Sequence, residues 1–124
     1  MPYRILIVED EADTGEMLAV QLGLDGYRVD TVANGHEALQ RLAGGDYDVI
    51  LSDFWMPGMN GEALYGHMQQ GWPHLAPRVL FMTADRPAGG IQATYGGAPV
   101  PTLTKPFSIE QLRQAIARVI APDI

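Results

Sequence analysis

The chain has 124 residues, 47% of them hydrophobic, which suits one compact domain with its own core and leaves too little for a second, so residues 1–124 are read as a single domain. It has no cysteine, which excludes disulfides and thiolate metal sites. A formal net charge of −7 sets the average surface against nucleic-acid phosphates, so no direct nucleic-acid binding is expected. The longest apolar run, Ile5 to Val8, is far short of the roughly 20 residues that cross a bilayer. No signal-peptide pattern opens the chain, and a cytoplasmic location away from membranes is the expectation.

The first predicted strand is Tyr3–Val8, an apolar and β-branched run of the kind found in central parallel strands covered on both faces. A helix follows over Asp13–Leu24, with Leu18 and Leu22 four apart, then a weaker, edge-like strand over Tyr27–Val32. The next helix, Gly35–Ala43, has Asn34 as its cap with Glu37 three residues on, and Gly44-Gly45 ends it. Tyr47–Ser52 reads as a second central strand, Gly61–Gln70 as a third helix and Arg78–Met82 as a third central strand. Ala88 to Pro101 is rich in Gly and Pro and gives little support to a fourth helix. A second edge-like strand, Thr102–Thr104, precedes a last helix that opens with the capping-box pattern Ser108-Ile109-Glu110-Gln111 and carries Leu112, Ile116, Val119 and Ile120 on one face. Strand and helix alternate five times, which argues for an α/β domain with a parallel sheet whose ligands sit outside the carboxyl ends of the strands.

The groups at those ends are Glu9-Asp10-Glu11 after the first strand, Asp53 after the third, Thr83-Ala84 after the fourth and Lys105-Pro106 after the fifth. Lys105 is the only lysine beside seven arginines. Singly, each has a bland reading: an acidic run is often a solvated loop, a Thr after a strand a turn former, and Lys-Pro a turn. Jointly, they bring carboxylates, a hydroxyl and an ammonium to one edge of the sheet. Clustered carboxylates repel one another unless a cation joins them, and Mg²⁺ favours one or two carboxylates plus waters and phosphate oxygens.

With Ile5–Glu11, Leu51-Ser52-Asp53, Met56–Gly61, Met82-Thr83-Ala84 and Leu103–Phe107, the chain resembles the receiver domains of bacterial response regulators over essentially its whole length. The resemblance implies a flavodoxin-like (βα)5 doubly wound sheet of order 2-1-3-4-5. It makes Asp53 the nucleophile that takes a phosphoryl group from a phosphohistidine on a histidine kinase or histidine phosphotransfer protein. Asp10, Asp53 and the main-chain carbonyl of Trp55 would hold Mg²⁺, with Glu9 acting largely through water. Thr83 and Lys105 would each engage a phosphoryl oxygen. Such a protein catalyses only its own phosphorylation and dephosphorylation and is not an enzyme in the ordinary sense; a homodimer is among the assemblies this reading allows. The resemblance also implies a cis Lys105-Pro106 bond.

Three positions depart from the family's pattern. Thr102 stands where receivers usually carry Tyr or Phe three residues before the lysine, and Trp55 and Asp85 stand two residues after Asp53 and Thr83. The Trp55 indole either obstructs water on its way to the acyl phosphate or offers a docking surface. The Gly/Pro-rich stretch, with Gly96-Gly97-Ala98-Pro99 shortly before Lys105, resembles receivers joined to sensor kinases more than those that drive transcription. With no switch ring and a weak segment, phosphorylation is expected to act by changing the order of residues Asp85 to Pro101.

Three rivals share parts of this reading. A flavin or nucleotide domain would need a phosphate-cradling loop where Glu9-Asp10-Glu11 stands. An aspartyl-phosphate hydrolase would place a second acid where Trp55 stands. The serious alternative is a receiver-like interaction module that works without phosphorylation.

Overall fold

The structure, a computed structural model, describes residues 2–84, 94–95 and 98–121. In chain order the elements are β1 (Arg4–Val8), α1 (Ala12–Leu24), β2 (Arg28–Val32), α2 (Gly35–Gly44), β3 (Val49–Asp53), α3 (Gly61–Gly71), a 3₁₀ turn at Ala76–Arg78, β4 (Val79–Thr83), the two-residue strands β5 (Thr94–Tyr95) and β6 (Ala98–Pro99), β7 (Thr102–Thr104) and α4 (Ile109–Ile120). Five strands form one all-parallel sheet in the order β2-β1-β3-β4-β7, so β7 fills the fifth place of the expected 2-1-3-4-5 flavodoxin-like arrangement.

The continuous apolar runs are explained by burial on both sides. Residues alternate across a strand. Ile5, Ile7, Val49, Leu51, Leu80 and Met82 therefore meet Leu18 and Leu22 of α1 and Leu112 and Ile116 of α4 on one face. Leu6, Val8, Ile50, Val79 and Phe81 meet Ala38 and Leu42 of α2 and Leu64 and Met68 of α3 on the other.

Element ends follow local chemistry. The Asn34 side chain accepts a hydrogen bond from the Glu37 amide at 2.9 Å and starts α2. Asn60 does the same for α3 through the Ala63 amide at 2.9 Å. At α4 the capping box is complete: the Gln111 amide donates to Ser108 Oγ at 3.0 Å, and the Ser108 amide donates to Gln111 Oε1 at 2.8 Å. β2 begins one residue later than the pattern suggests because the Tyr27 amide donates back to the Leu22 carbonyl at 3.2 Å, finishing α1.

Among the described residues no helix lies between β4 and β7; β5 and β6 pair there as a short antiparallel ribbon. Four helices are described, where five strand–helix alternations were expected. The expected change of order over Asp85 to Pro101 falls largely outside the described residues.

Candidate functional site

Parallel strands put their carboxyl ends on one edge, and the register fixes which residues share it. Val8 pairs with Ser52, Asp53 with Met82 and Thr83 with Thr104. Hydrogen bonds carry the pairing just past the strands: the Glu9 amide donates to the Val32 carbonyl at 3.0 Å, the Phe54 amide to the Met82 carbonyl at 2.8 Å and the Lys105 amide to the Thr83 carbonyl at 2.7 Å. Glu9, Asp53, Thr83 and Lys105 are thereby brought to one rim.

The side chains converge as the sequence implied. Carboxylate oxygens of Glu9, Asp10 and Asp53 all lie within 4.8 Å of one another. Lys105 Nζ stands 3.5 Å from Glu9 Oε1 and 3.8 Å from Asp53 Oδ2. Thr83 is fully buried at the end of β4, and the Lys105–Pro106 peptide is cis.

The three acids differ in environment. Asp10 is exposed, Asp53 nearly buried, and the Glu9 side chain retains 1% exposure. Burial raises the Glu9 pKa to about 7, helped by a hydrogen bond with Asp53 and the negative charges of Asp53 and Asp10, while the Lys105 ammonium opposes the rise. Glu9 Oε2 is buried without a hydrogen-bond partner. An orphaned carboxylate oxygen beside two further carboxylates is a donor set deficient in positive charge, and it fits a hard divalent cation such as Mg²⁺.

The loop after Asp53 is pinched closed at its base. The Gly61 amide donates to the Phe54 carbonyl at 2.7 Å. Gly58 turns the chain at φ +82°, a conformation L side chains rarely adopt, and a Cβ on Gly61 would stand 2.8 Å from Phe81 Cε1 and 3.0 Å from Phe54 Cα. Met56 and Met59 are buried, whereas Trp55 is 48% exposed, its ring in an edge-to-face contact with Phe54 with centroids 5.0 Å apart. The Ser52 hydroxyl, which the sequence did not single out, donates to the Asp53 main-chain carbonyl at 3.0 Å. On the opposite flank Thr102, in place of a ring, donates to the Val100 carbonyl at 3.2 Å beside a groove of about 540 Å³ between β7 and α4.

Residues 5–117 match the response regulator receiver domain, and the chain belongs to that family, the receiver component of two-component signalling. It is 37% identical over 111 residues to the transcriptional regulatory protein TcrA of Mycobacterium tuberculosis, an alignment covering 88% of this chain and 42% of the relative. With the transcriptional regulatory protein YrkP of Bacillus subtilis it shares 38% identity over 123 residues, 98% of this chain and 49% of the relative. The chain thus spans about half the length of these relatives. Among solved structures, the receiver domain of a histidine kinase from Syntrophus aciditrophicus superposes with a TM-score of 0.83 at 30% identity, covering 98% of this chain and 92% of that one. TrrA of Thermotoga maritima, in complex with Mg²⁺ and BeF, superposes with a TM-score of 0.79 at 28% identity, covering 96% and 99%. Receivers of transcriptional regulators and of a histidine kinase both appear among the matches.

Proposed function

We propose that the chain accepts a phosphoryl group on Asp53 from a phosphohistidine of a histidine kinase or histidine phosphotransfer protein, with Mg²⁺ as the required ion. The observation that carries this reading is the meeting of three carboxylates with the only lysine of the chain at the carboxyl edge of the sheet. Asp10, Asp53 and the main-chain carbonyl of Trp55 would hold the ion, with Glu9 reaching it largely through water. When bound, Mg²⁺ supplies charge neutralisation for the phosphoryl oxygens.

The chain's own groups do the rest. An Asp53 carboxylate oxygen forms the new P–O bond as the P–N bond breaks, and the imidazole leaves with the electron pair of that bond. Lys105 offsets the charge of one phosphoryl oxygen, and the Thr83 hydroxyl donates to another. Little covalent chemistry is asked of the protein, so positioning and charge supply most of the rate. The exposed stripe Met17, Val20 and Leu24 on α1, the helix that begins just past the acidic run, offers a partner helix an apolar seat.

Acetyl phosphate tests the reading without a partner. With Mg²⁺ present the intact mass should rise by one phosphoryl group, and it should not rise without divalent ion or in Asp53→Asn. Equal labelling of Asp53→Asn would reject the assignment, and a wild-type protein that never acquires the group would favour an interaction module that works without phosphorylation.

A further inference from the structure

The loop from Phe54 to Gly61, which carries Trp55, touches α2 at a spot with no room to spare. Gly35, the first residue of α2, is buried, and a Cβ built on it would stand 2.6 Å from Met59 Sδ, 3.0 Å from its Cγ and 3.1 Å from its Cβ. The first two distances are the severe ones: 2.6 Å is closer than real Cβ atoms come to another heavy atom, and the Met59 side chain that supplies Sδ and Cγ is packed in the core. Met59 is only 8% exposed, so its side chain has no solvent to retreat into. The helix side of the contact is equally fixed: Asn34 caps α2 just before Gly35, and Ala38 and Leu42 anchor the helix to the sheet. At its two ends the loop is tied by the Phe54–Met82 and Gly61–Phe54 hydrogen bonds. Between those ties, Met56 is buried in the core and Met59 seats against Gly35.

We infer that Gly35 and Met59 are positioning residues for the metal site: the missing side chain at Gly35 is the notch that lets Met59 seat the loop and hold the Trp55 main chain at the depth ion binding needs. The inference rests on the Mg²⁺ reading above. A substitution at Gly35 then acts through the loop, and its cost depends on what stands at position 59. The intrinsic helix preference runs the other way, since Ala is a better helix former than Gly.

Calorimetric Mg²⁺ titrations, paired with thermal unfolding in metal-free buffer, test this on the whole chain. Gly35→Ala should weaken Mg²⁺ binding on the order of 5- to 10-fold, whereas the same change in a Met59→Ala background should cost little further affinity, the non-additivity expected of residues in contact. Met59→Ala alone, which withdraws the plug, should also bind Mg²⁺ several-fold less tightly, so the test survives if Gly35→Ala does not fold. Leu112→Ala, which opens a cavity under α4 on the opposite face of the sheet, should lower the unfolding temperature and leave Mg²⁺ affinity unchanged. Wild-type affinity in Met59→Ala, or equal losses from Gly35→Ala in both backgrounds, would overturn the inference. A wild-type protein that does not bind Mg²⁺ would remove the underlying reading as well.

Discussion

Glu9 and Asp10 are neighbours in the sequence and opposites in environment, one buried and one exposed. The acidic run announced a cation site but gave no means of ranking its members; burial of Glu9 depends on how α1 packs over the end of β1. That difference has a pH consequence. The folded protein holds a proton on Glu9 up to about pH 7, whereas an unfolded glutamate releases it near 4.5. Between these values the folded state binds more protons, so the metal-free protein loses stability as pH rises from about 4.5 to 7, and this loss levels off above that. Mg²⁺ binding, which favours the carboxylate, should strengthen over the same upper range and release a proton. Titrations at pH 5.5, 6.5 and 7.5 in the wild-type protein and Glu9→Gln check this: affinity should rise with pH only in the wild type, and a flat wild-type profile would contradict it.

Lys105 makes a different kind of contact. Its ion pairs at 3.5 and 3.8 Å are long, and its side chain is 27% exposed, so Lys105→Ala should fold normally. Phosphorylation by acetyl phosphate should slow on the order of 10²-fold, the usual cost of removing one preorganised charge partner of a developing anion. Lys105→Arg should recover little of this, because a planar fork differs in shape and reach from an ammonium. Wild-type rates in Lys105→Ala, measured by the growth of the phosphorylated mass, would remove the residue from the reaction.

At the scale of elements, most boundaries were legible because their signals are local. Asn34 with Glu37 and Ser108 with Gln111 mark helix starts within four residues of chain, and the structure shows both bonds. Ser108→Ala should therefore cost about 1 kcal/mol in urea unfolding, and a cost near zero would mean that the cap adds nothing to α4. Contacts between distant segments were not legible. The Arg113 guanidinium meets Asp25 with Nε–Oδ2 at 2.8 Å and Nη2–Oδ1 at 3.0 Å across 88 residues, holding that carboxyl below its usual pKa and tying the end of α1 to α4. No spacing rule predicts such a pair. The Gly35–Met59 contact escaped for the same reason: a glycine beside a cap reads as a helix start, and only packing reveals it as a notch.

For the whole molecule, the architecture was legible because a parallel sheet covered on both faces writes itself as continuous apolar strands, and topology then gathers whatever follows them. Asp53, Thr83 and Lys105 are 22 to 52 residues apart in sequence, yet they follow or end β3, β4 and β7, three adjacent strands of the sheet. The Gly/Pro-rich approach to β7 was less informative, since it weakens a helix assignment without specifying the ribbon of β5 and β6 that the structure places there.

The central claim concerns one atom group, the Asp53 carboxylate, and it can be tested by converting the acyl phosphate to a permanent mark. The protein is treated with acetyl phosphate and Mg²⁺, reduced with borohydride, digested and sequenced by tandem mass spectrometry. Reduction turns a phosphorylated aspartate into homoserine, so the account predicts homoserine at position 53, dependent on Mg²⁺, with Asp10 and Glu9 unchanged. Homoserine at position 10 with none at position 53, or no reduced residue in a sample whose intact mass shows the phosphoryl group, would contradict it.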